Sequence, residues 1–401
     1  MDSKFYIDVE DIYVAPNYNP LDVVITRGKG IWVWDVDGNK YLDFLSSYSA
    51  VNQGHCHPRI VKALTDQAKK LTMTSRAFRN DQWPLLAKEL CDLTGYEMTL
   101  AMNSGAEAVE TALKAARMWG YLKKGIQEDA AEIIVCTNNY HGRTITIIGF
   151  STENIVRSNF GPFTPGFRMV PYGDAVALEE AITPATVAFL VEPIQAEGGI
   201  VIPPPGYLEE TKSICEKYGI LFLADEIQTG LGRTGKLFGC DHESVKPDIL
   251  IIGKSLGGGC YPISAVLSSR EILGLFEPGS HGSTFGANPL ACAVARESLQ
   301  VLVDEEMIKN AEELGDYFLK KLMGIKSKHI KEIRGKGLLC GIELKDEAGG
   351  ARRFCEALAD EALLCKDTHG NVIRFAPSLT IKQSHLNWAL KRIKKAFKDL
   401  K

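Results

Sequence analysis

The chain of 401 residues contains no apolar run close to the roughly 20 residues needed to cross a bilayer. It has no C-x-x-C pair among its 10 cysteines, no internal repeat and no low-complexity linker. Nor does it carry a surplus of one charge, since 46 Lys and Arg against 50 Asp and Glu leave a formal charge of −4. Each absence excludes something. Without a long apolar run there is no membrane partner, and without a basic surplus there is no footing for nucleic acid or anionic lipid. Cysteines spread singly through apolar segments, such as Cys136 in AEIIVCTN and Cys340 in GLLCGIEL, read as small hydrophobes in a reducing compartment. Cys56 lies between two histidines in GHCHP, but the second ligand pair of a zinc site is missing, so no metal is expected. The start, MDSKFYIDVEDIYV, lacks the basic and apolar regions of a secretory signal and the acid-poor look of a transit peptide. A soluble cytoplasmic protein is expected, with the mitochondrial matrix open if a leader was trimmed.

What is present is alternation. From about Thr99 short β-rich apolar runs are separated by helical patterns: TLAMNS, AEIIVCTN, TVAFLVEPI, GILFLADEI, PDILIIGKS and PISAVLSS. Runs apolar on both faces predict an α/β fold with a mostly parallel sheet flanked by helices. The flanks differ. Before about Asn52, GKGIWVWDVDGNKYLDF suggests a strand pair turning at Asp37-Gly38. After about Ala293 the sequence predicts a long helix, the alternating run RGKGLLCGIEL, the run NVIRFAP and a closing amphipathic helix, HLNWALKRIKKAFKDL. The expected division is a large domain over 52–292 and a smaller α+β domain from 1–51 and 293–401.

In open parallel sheets ligands sit beyond the carboxyl ends of the strands, so the residue after each apolar run is the place to look. TLAMNS stops at Ser104, and GAEAVETALKAARMWGY follows as a helix. Ser104 and Glu107 have capping-box spacing, and Val109, Ala112, Leu113, Ala116 and Trp119 form one apolar stripe. A helix start with Ser104 and the bare Gly105 suits a phosphate, though a plain capped helix would read the same. LFLAD ends in Asp225, an acid that needs a cationic partner if buried. ILIIG ends in Lys254, whose ammonium form is disfavoured at an apolar strand end, leaving a nucleophilic amine. A structural Lys–Asp ion pair would explain two of these features. Pyridoxal phosphate explains all three, with an aldehyde for the lysine, a ring nitrogen for the acid and a phosphate for the helix. GKSLGGG follows a strand but lacks the spacing of a Walker motif.

At these residues the sequence resembles the class III aminotransferases of fold type I. The resemblance runs nearly end to end, through NYNPLDVVITRGKG, FLSSYSAVNQGHCHP, SGAEAVETALKAARMWGY, HGRT, VEPIQAEGG, LFLADEIQTGLGRTGK, GKSLGGG, HGSTFGANPLA, RGKGLL and IRFAP. It implies that Lys254 holds the cofactor and then moves the proton, and that Asp225 keeps the ring nitrogen protonated. It further implies that Gln228 bonds the phenolic oxygen, that Gly105 and Ala106 give phosphate-binding amides, and that Tyr140 stacks on the ring. Ser283 and Thr284 would reach the phosphate from the partner subunit, so the active site would be shared across a homodimer.

The resemblance also implies transfer of the terminal amino group of ornithine to 2-oxoglutarate by a ping-pong scheme. Arg143, helped by Tyr18, would bind the ornithine carboxylate, with Tyr48 nearby. Glu197 would mask Arg374 while ornithine is bound and swing away to free that bidentate fork for 2-oxoglutarate. Read alone, Glu197 and Arg374 would also fit an ordinary interdomain salt bridge. Other ω-amino donors (acetylornithine, 4-aminobutyrate or the lysine side chain) form the alternative, and a binding protein without turnover is the rival from another class. Three positions depart from the family pattern. His141 is expected as a pocket wall, Ala196 stands where a glycine is common, and Ser255 follows the lysine in place of alanine.

Overall fold

The computed structural model describes residues 1–400. A seven-stranded sheet runs in the order Met98–Met102, Ser264–Ser268, Ile249–Ile252, Leu221–Asp225, Thr186–Val191, Glu132–Cys136, Phe167–Val170. Ser264–Ser268 is antiparallel to both neighbours, and the pairings from Ile249–Ile252 to Phe167–Val170 are parallel. Successive side chains on these strands alternate between two cores. Ile133, Val135, Leu221 and Leu223 face the helix Gly105–Trp119. Ile134, Cys136, Phe222 and Ala224 face the helix Tyr207–Tyr218. Covering both faces explains why every residue of Thr186–Val191, Leu221–Asp225 and Ile249–Ile252 is buried.

Two four-stranded sheets lie beside it. One joins Ile25–Lys29, Trp32–Asp35 and Lys40–Asp43 to Leu363–Leu364, so the two flanks of the chain share a sheet through a parallel pairing. The expected strand pair and its turn are both there, with Gly38 at φ +90°. The other is antiparallel, in the order Ile330–Lys336, Leu339–Leu344, Val372–Phe375, Lys366–Thr368.

Several details differ from expectation. The long C-terminal helix is two helices, Pro289–Asp304 and Met307–Met323, broken where Glu306 turns left-handed at φ +48°. The expected boundary at residue 293 falls inside the first of them. A helix over Ser3–Tyr13 buries none of its residues, and another over Arg352–Asp360 packs on the closing helix Gln383–Asp399. Phe167–Val170 forms the sheet edge without an apolar run to announce it, because two of its four residues are exposed. No helix among the described residues is long and apolar enough to cross a membrane.

One buried cation ties the molecule together. Arg233 is fully buried, and its Nη1 donates to the carbonyls of Leu338 (2.9 Å) and Pro377 (2.6 Å) while its Nη2 donates to Asn52 Oδ1. Asn52 in turn accepts on its carbonyl from Leu379 N at 2.8 Å. Burial lowers the Arg233 pKa to about 9. Carbonyl oxygens, not a carboxylate, meet the two terminal nitrogens of this guanidinium, while Nε is buried without a partner, so its position depends on three distant segments meeting at once.

Candidate active site

The strand ends meet in a cavity of about 330 Å³ lined by Gly105, Ala106, Tyr140, His141, Glu192, Asp225, Ile227, Gln228 and Lys254, among others. Asp225 closes its strand. Its Oδ1 accepts from Ile227 N at 3.1 Å and its Oδ2 lies 2.7 Å from His141 Nδ1. A ring nitrogen facing a carboxylate carries the proton, so His141 donates here. His141 therefore does more than wall the pocket, because it holds the acid in place.

Lys254 follows Gly253 at the end of the neighbouring strand, in a tight turn with φ +44°. A non-glycine residue held there stores strain of about 1–2 kcal/mol. Its Nζ donates to Gln228 Oε1 at 2.5 Å, and Gln228 Nε2 is buried without a partner. Burial holds the Lys254 ammonium below the usual lysine range, against the pull of the Glu197 and Asp225 charges. The amine is thus closer to its free-base form than an exposed lysine would be.

At the third strand end, Ser104 caps the helix Gly105–Trp119 in a capping box with Glu107. The Ser104 hydroxyl accepts from Glu107 N at 3.2 Å and donates to Glu107 Oε2 at 3.1 Å. Its side chain is spent on the cap and lies outside the cavity lining. The amides of Gly105 and Ala106 begin the helix and have no carbonyl of that helix to donate to. A Cβ on Gly105 would stand 3.0 Å from Ile227 Cδ1, so a side chain there would crowd the cavity wall.

A second cavity, of about 650 Å³, shares Tyr18, Tyr140 and Arg143 with the first and adds Tyr48, Glu197 and Arg374. Arg374 is buried and grips Glu197 through two parallel bonds, Nη1 to Oε1 at 2.6 Å and Nη2 to Oε2 at 2.8 Å. Burial alone would raise the Glu197 carboxyl, but the guanidinium overcomes it and brings the pKa to about 2. Tyr48 lies 5.0 Å from the Arg374 guanidinium. It sits on a run of four non-glycine residues, Ser46–Ser49, all with positive φ between 47° and 74°. Asp43 anchors that run by accepting from Leu45 N and Ser46 N at 2.8 and 2.9 Å. Arg143 lies 5.9 Å from the Tyr18 ring and 5.6 Å from Tyr140, and it carries no carboxylate partner among the described residues.

The structure thus brings together Lys254, Asp225, Gln228, Gly105, Ala106 and Tyr140, with Tyr18, Tyr48, Arg143, Glu197 and Arg374 alongside. It does not bring in Ser283 or Thr284. Ser283 accepts from Asn103 Nδ2 at 2.7 Å, and Thr284 is exposed. Ala196 keeps a negative φ, so a side chain there costs the turn nothing. Next to Cys56, His55 is taken by Asp43 (2.7 Å) and His57 by Glu305 (3.0 Å).

Sequence reasoning missed Glu192, although the rule that found Asp225 would have found it at the end of TVAFLVE. Its Oε1 accepts from Tyr140 N at 2.8 Å. Burial, together with the Asp225 charge, pushes its carboxyl well above the usual range.

A family model described as aminotransferase class-III matches residues 13–397. The chain is 55% identical over 397 residues to a protein named ornithine aminotransferase from Bacillus subtilis strain 168, covering 99% of this chain and 98% of the relative. It is also similar to a solved ornithine aminotransferase from Toxoplasma gondii, described as having partial occupancy of PLP at its active site. That likeness has a TM-score of 0.97 at 48% identity, over 99% of this chain and 94% of the other. A solved acetylornithine aminotransferase from Elizabethkingia anophelis matches with a TM-score of 0.91 at 48% identity over 100% of both chains.

Proposed function

The chain belongs to the class III aminotransferases, and from that premise we propose that it moves the terminal amino group of ornithine to 2-oxoglutarate. The products are glutamate and glutamate 5-semialdehyde, which closes on its own amine to pyrroline-5-carboxylate. One observation carries the choice of substrates. A lysine amine, an arginine without a carboxylate partner and an arginine masked by a glutamate line connected cavities. That set fits a donor with one carboxylate and an acceptor with two.

Pyridoxal 5′-phosphate fits the first cavity. Gln228 Nε2 is a buried donor without a partner, Asp225 has lone pairs left beyond its two donors, and the first amides of the Gly105 helix are free for a phosphate. When bound, the cofactor supplies an aldehyde for the amino group and a ring that accepts the electrons of a breaking C–H bond. Lys254 Nζ would hold it. Once displaced by substrate, the same amine would take the proton from the amine-bearing carbon and hand it on within that half-reaction, then run the exchange in reverse with the acceptor. Asp225, fixed by His141, would keep a proton on the ring nitrogen, and Gln228 would donate to the phenolic oxygen. Glu192 would hold the Tyr140 backbone beside the ring through its bond to Tyr140 N. Tyr140 would cover the ring.

Arg143 binds the ornithine carboxylate, with Tyr18 at the mouth and Tyr48 along the wall. While Glu197 occupies Arg374, no second carboxylate has a fork to bind, so ornithine enters amine first. When Glu197 leaves, Arg374 receives the α-carboxylate of 2-oxoglutarate. We also propose a cytoplasmic homodimer. Its smaller domain is drawn from residues 1–51 and 293–401, the second part starting within the helix Pro289–Asp304, and Ser283 and Thr284 of each chain complete the other's phosphate site. Their position outside both cavities and the unburied helix Ser3–Tyr13 support this arrangement.

The similarity to an acetylornithine enzyme at 48% identity makes that donor the alternative. The test is a visible spectrum of the purified protein with pyridoxal phosphate, repeated after ornithine, acetylornithine or 4-aminobutyrate. A yellow band bleached by ornithine alone is the expected result. Bleaching only by another amine would replace the donor, and no band at all would remove the cofactor assignment.

A further inference from the structure

The turn that carries Glu197 is strained and is held by the antiparallel sheet it packs on. Gln195 and Val201 exchange backbone bonds of 3.2 and 3.0 Å, closing the loop between them. Within it Gly199 has φ +107° and Ile200 has φ +56°. A β-branched residue at positive φ is a true outlier and persists only where its surroundings over-determine it. Here the surroundings are the antiparallel sheet.

Arg334, on the strand Ile330–Lys336, donates from Nη2 to Gly199 O at 2.7 Å and from Nε to Ile200 O at 3.0 Å. The remaining nitrogen, Nη1, bonds Glu332 at 2.7 Å and also Glu343. Thr368, on the strand Lys366–Thr368, donates its hydroxyl to Glu197 O at 2.6 Å. Arg374, which takes the Glu197 carboxylate, stands on Val372–Phe375 of the same sheet. A Cβ on Gly199 would lie 3.2 Å from Val372 and 3.4 Å from Arg334, so the turn packs directly on these strands. Arg334 itself lines neither cavity, whereas Thr368 is part of the wall of the second.

We infer that Arg334 and Thr368 are positioning residues that seat the Glu197 turn on the sheet bearing Arg374, and so set how tightly Arg374 is masked against dicarboxylates. This rests on the switch reading of Glu197 given above. The sign follows from what each state requires. The masked state needs both Glu197 oxygens aligned with both Arg374 nitrogens, while the unmasked state needs the turn in no particular place. Loosening the turn therefore adds an ordering cost to the masked state alone. It moves the balance toward a free Arg374.

Glutarate, a dicarboxylate with no carbonyl to react, reads that balance by calorimetry on the holoenzyme. Glu197→Ala gives the fully unmasked limit. Arg334→Met should tighten glutarate binding by roughly fivefold or more, short of that limit, and Thr368→Val should move it the same way by less. In stopped-flow half-reactions the rate with ornithine should fall and the rate with glutamate should rise. Thr368→Val is nearly isosteric and carries the test if Arg334→Met does not fold. Unchanged glutarate affinity with an unchanged ornithine-to-glutamate ratio in the folded variants would overturn the proposal. If Glu197→Ala fails to tighten glutarate, the mask itself is absent and the proposal falls with it. If the parent does not use ornithine, the donor assignment fails while the glutarate comparison still decides the role of Arg334.

Discussion

Asp225 and Tyr48 line adjoining cavities, yet their backbones have little in common. Asp225 ends a fully buried strand paired on both sides, and Glu192 follows another. Tyr48 rides a left-handed run, Glu197 a turn containing Ile200 at φ +56°, and Tyr18 is 66% exposed at the mouth. The groups that do the chemistry need one fixed place, which a cooperative sheet supplies. Those that choose between substrates must serve two ligands of different charge. Apart from Arg374, which stands on the buried strand Val372–Phe375, they stand on irregular segments whose positions depend on a few side-chain bonds. Lys254 belongs to both descriptions, since it follows a buried strand and is itself strained.

If the comparison holds, changes in the first cavity should cost turnover and changes in the second should cost discrimination. Lys254→Ala should lower kcat by about 10²–10⁴-fold and remove the visible band with bound cofactor. Retained turnover would break the division at its strongest point. Arg143→Ala should weaken ornithine by about 100-fold in KM, as expected for a lost charged contact of ~2.7 kcal/mol. Cofactor affinity, measured by fluorescence titration, should stay the same; a matching loss there would merge the two cavities into one.

The mildest test is of stability. The Glu197 pKa falls from its ordinary value of 4.5 to about 2 on folding, the Arg374 charge prevailing over burial. A depressed folded pKa means that the contribution is complete above about pH 4.5 and is lost as pH falls toward 2. Glu197→Gln should therefore cost about 2 kcal/mol at neutral pH, with a difference in melting temperature that shrinks only below about pH 4.5. A difference that disappears near pH 6 would show that the pair is not held as described.

The same contrast explains what could be read from the sequence. Buried strands show as apolar runs of β-branched residues, and a polar residue at the end of such a run is conspicuous. Asp225, Lys254 and the Ser104 cap were therefore legible from physical reasoning. Tyr48, Glu197 and Arg374 come together only through tertiary contacts, and the family resemblance alone pointed to them. The left-handed run Ser46–Ser49 left no trace, because serine and tyrosine give no signal for positive φ. His141 was read as a wall because nothing local says that its ring reaches Asp225, 84 positions away. The break at Glu306 was missed because the apolar period continues on both sides of it.

Arg233 has a consequence for how the chain is made. Its acceptor at Pro377 lies 144 residues further along the sequence, a delay on the order of ten seconds at common rates of synthesis. During that interval the guanidinium lacks its Pro377 acceptor, although Asn52 is already made and Leu338 follows. The nascent chain therefore emerges with its keystone unset. Asn52, among the first segments translated, and Pro377, among the last, are locked in place together.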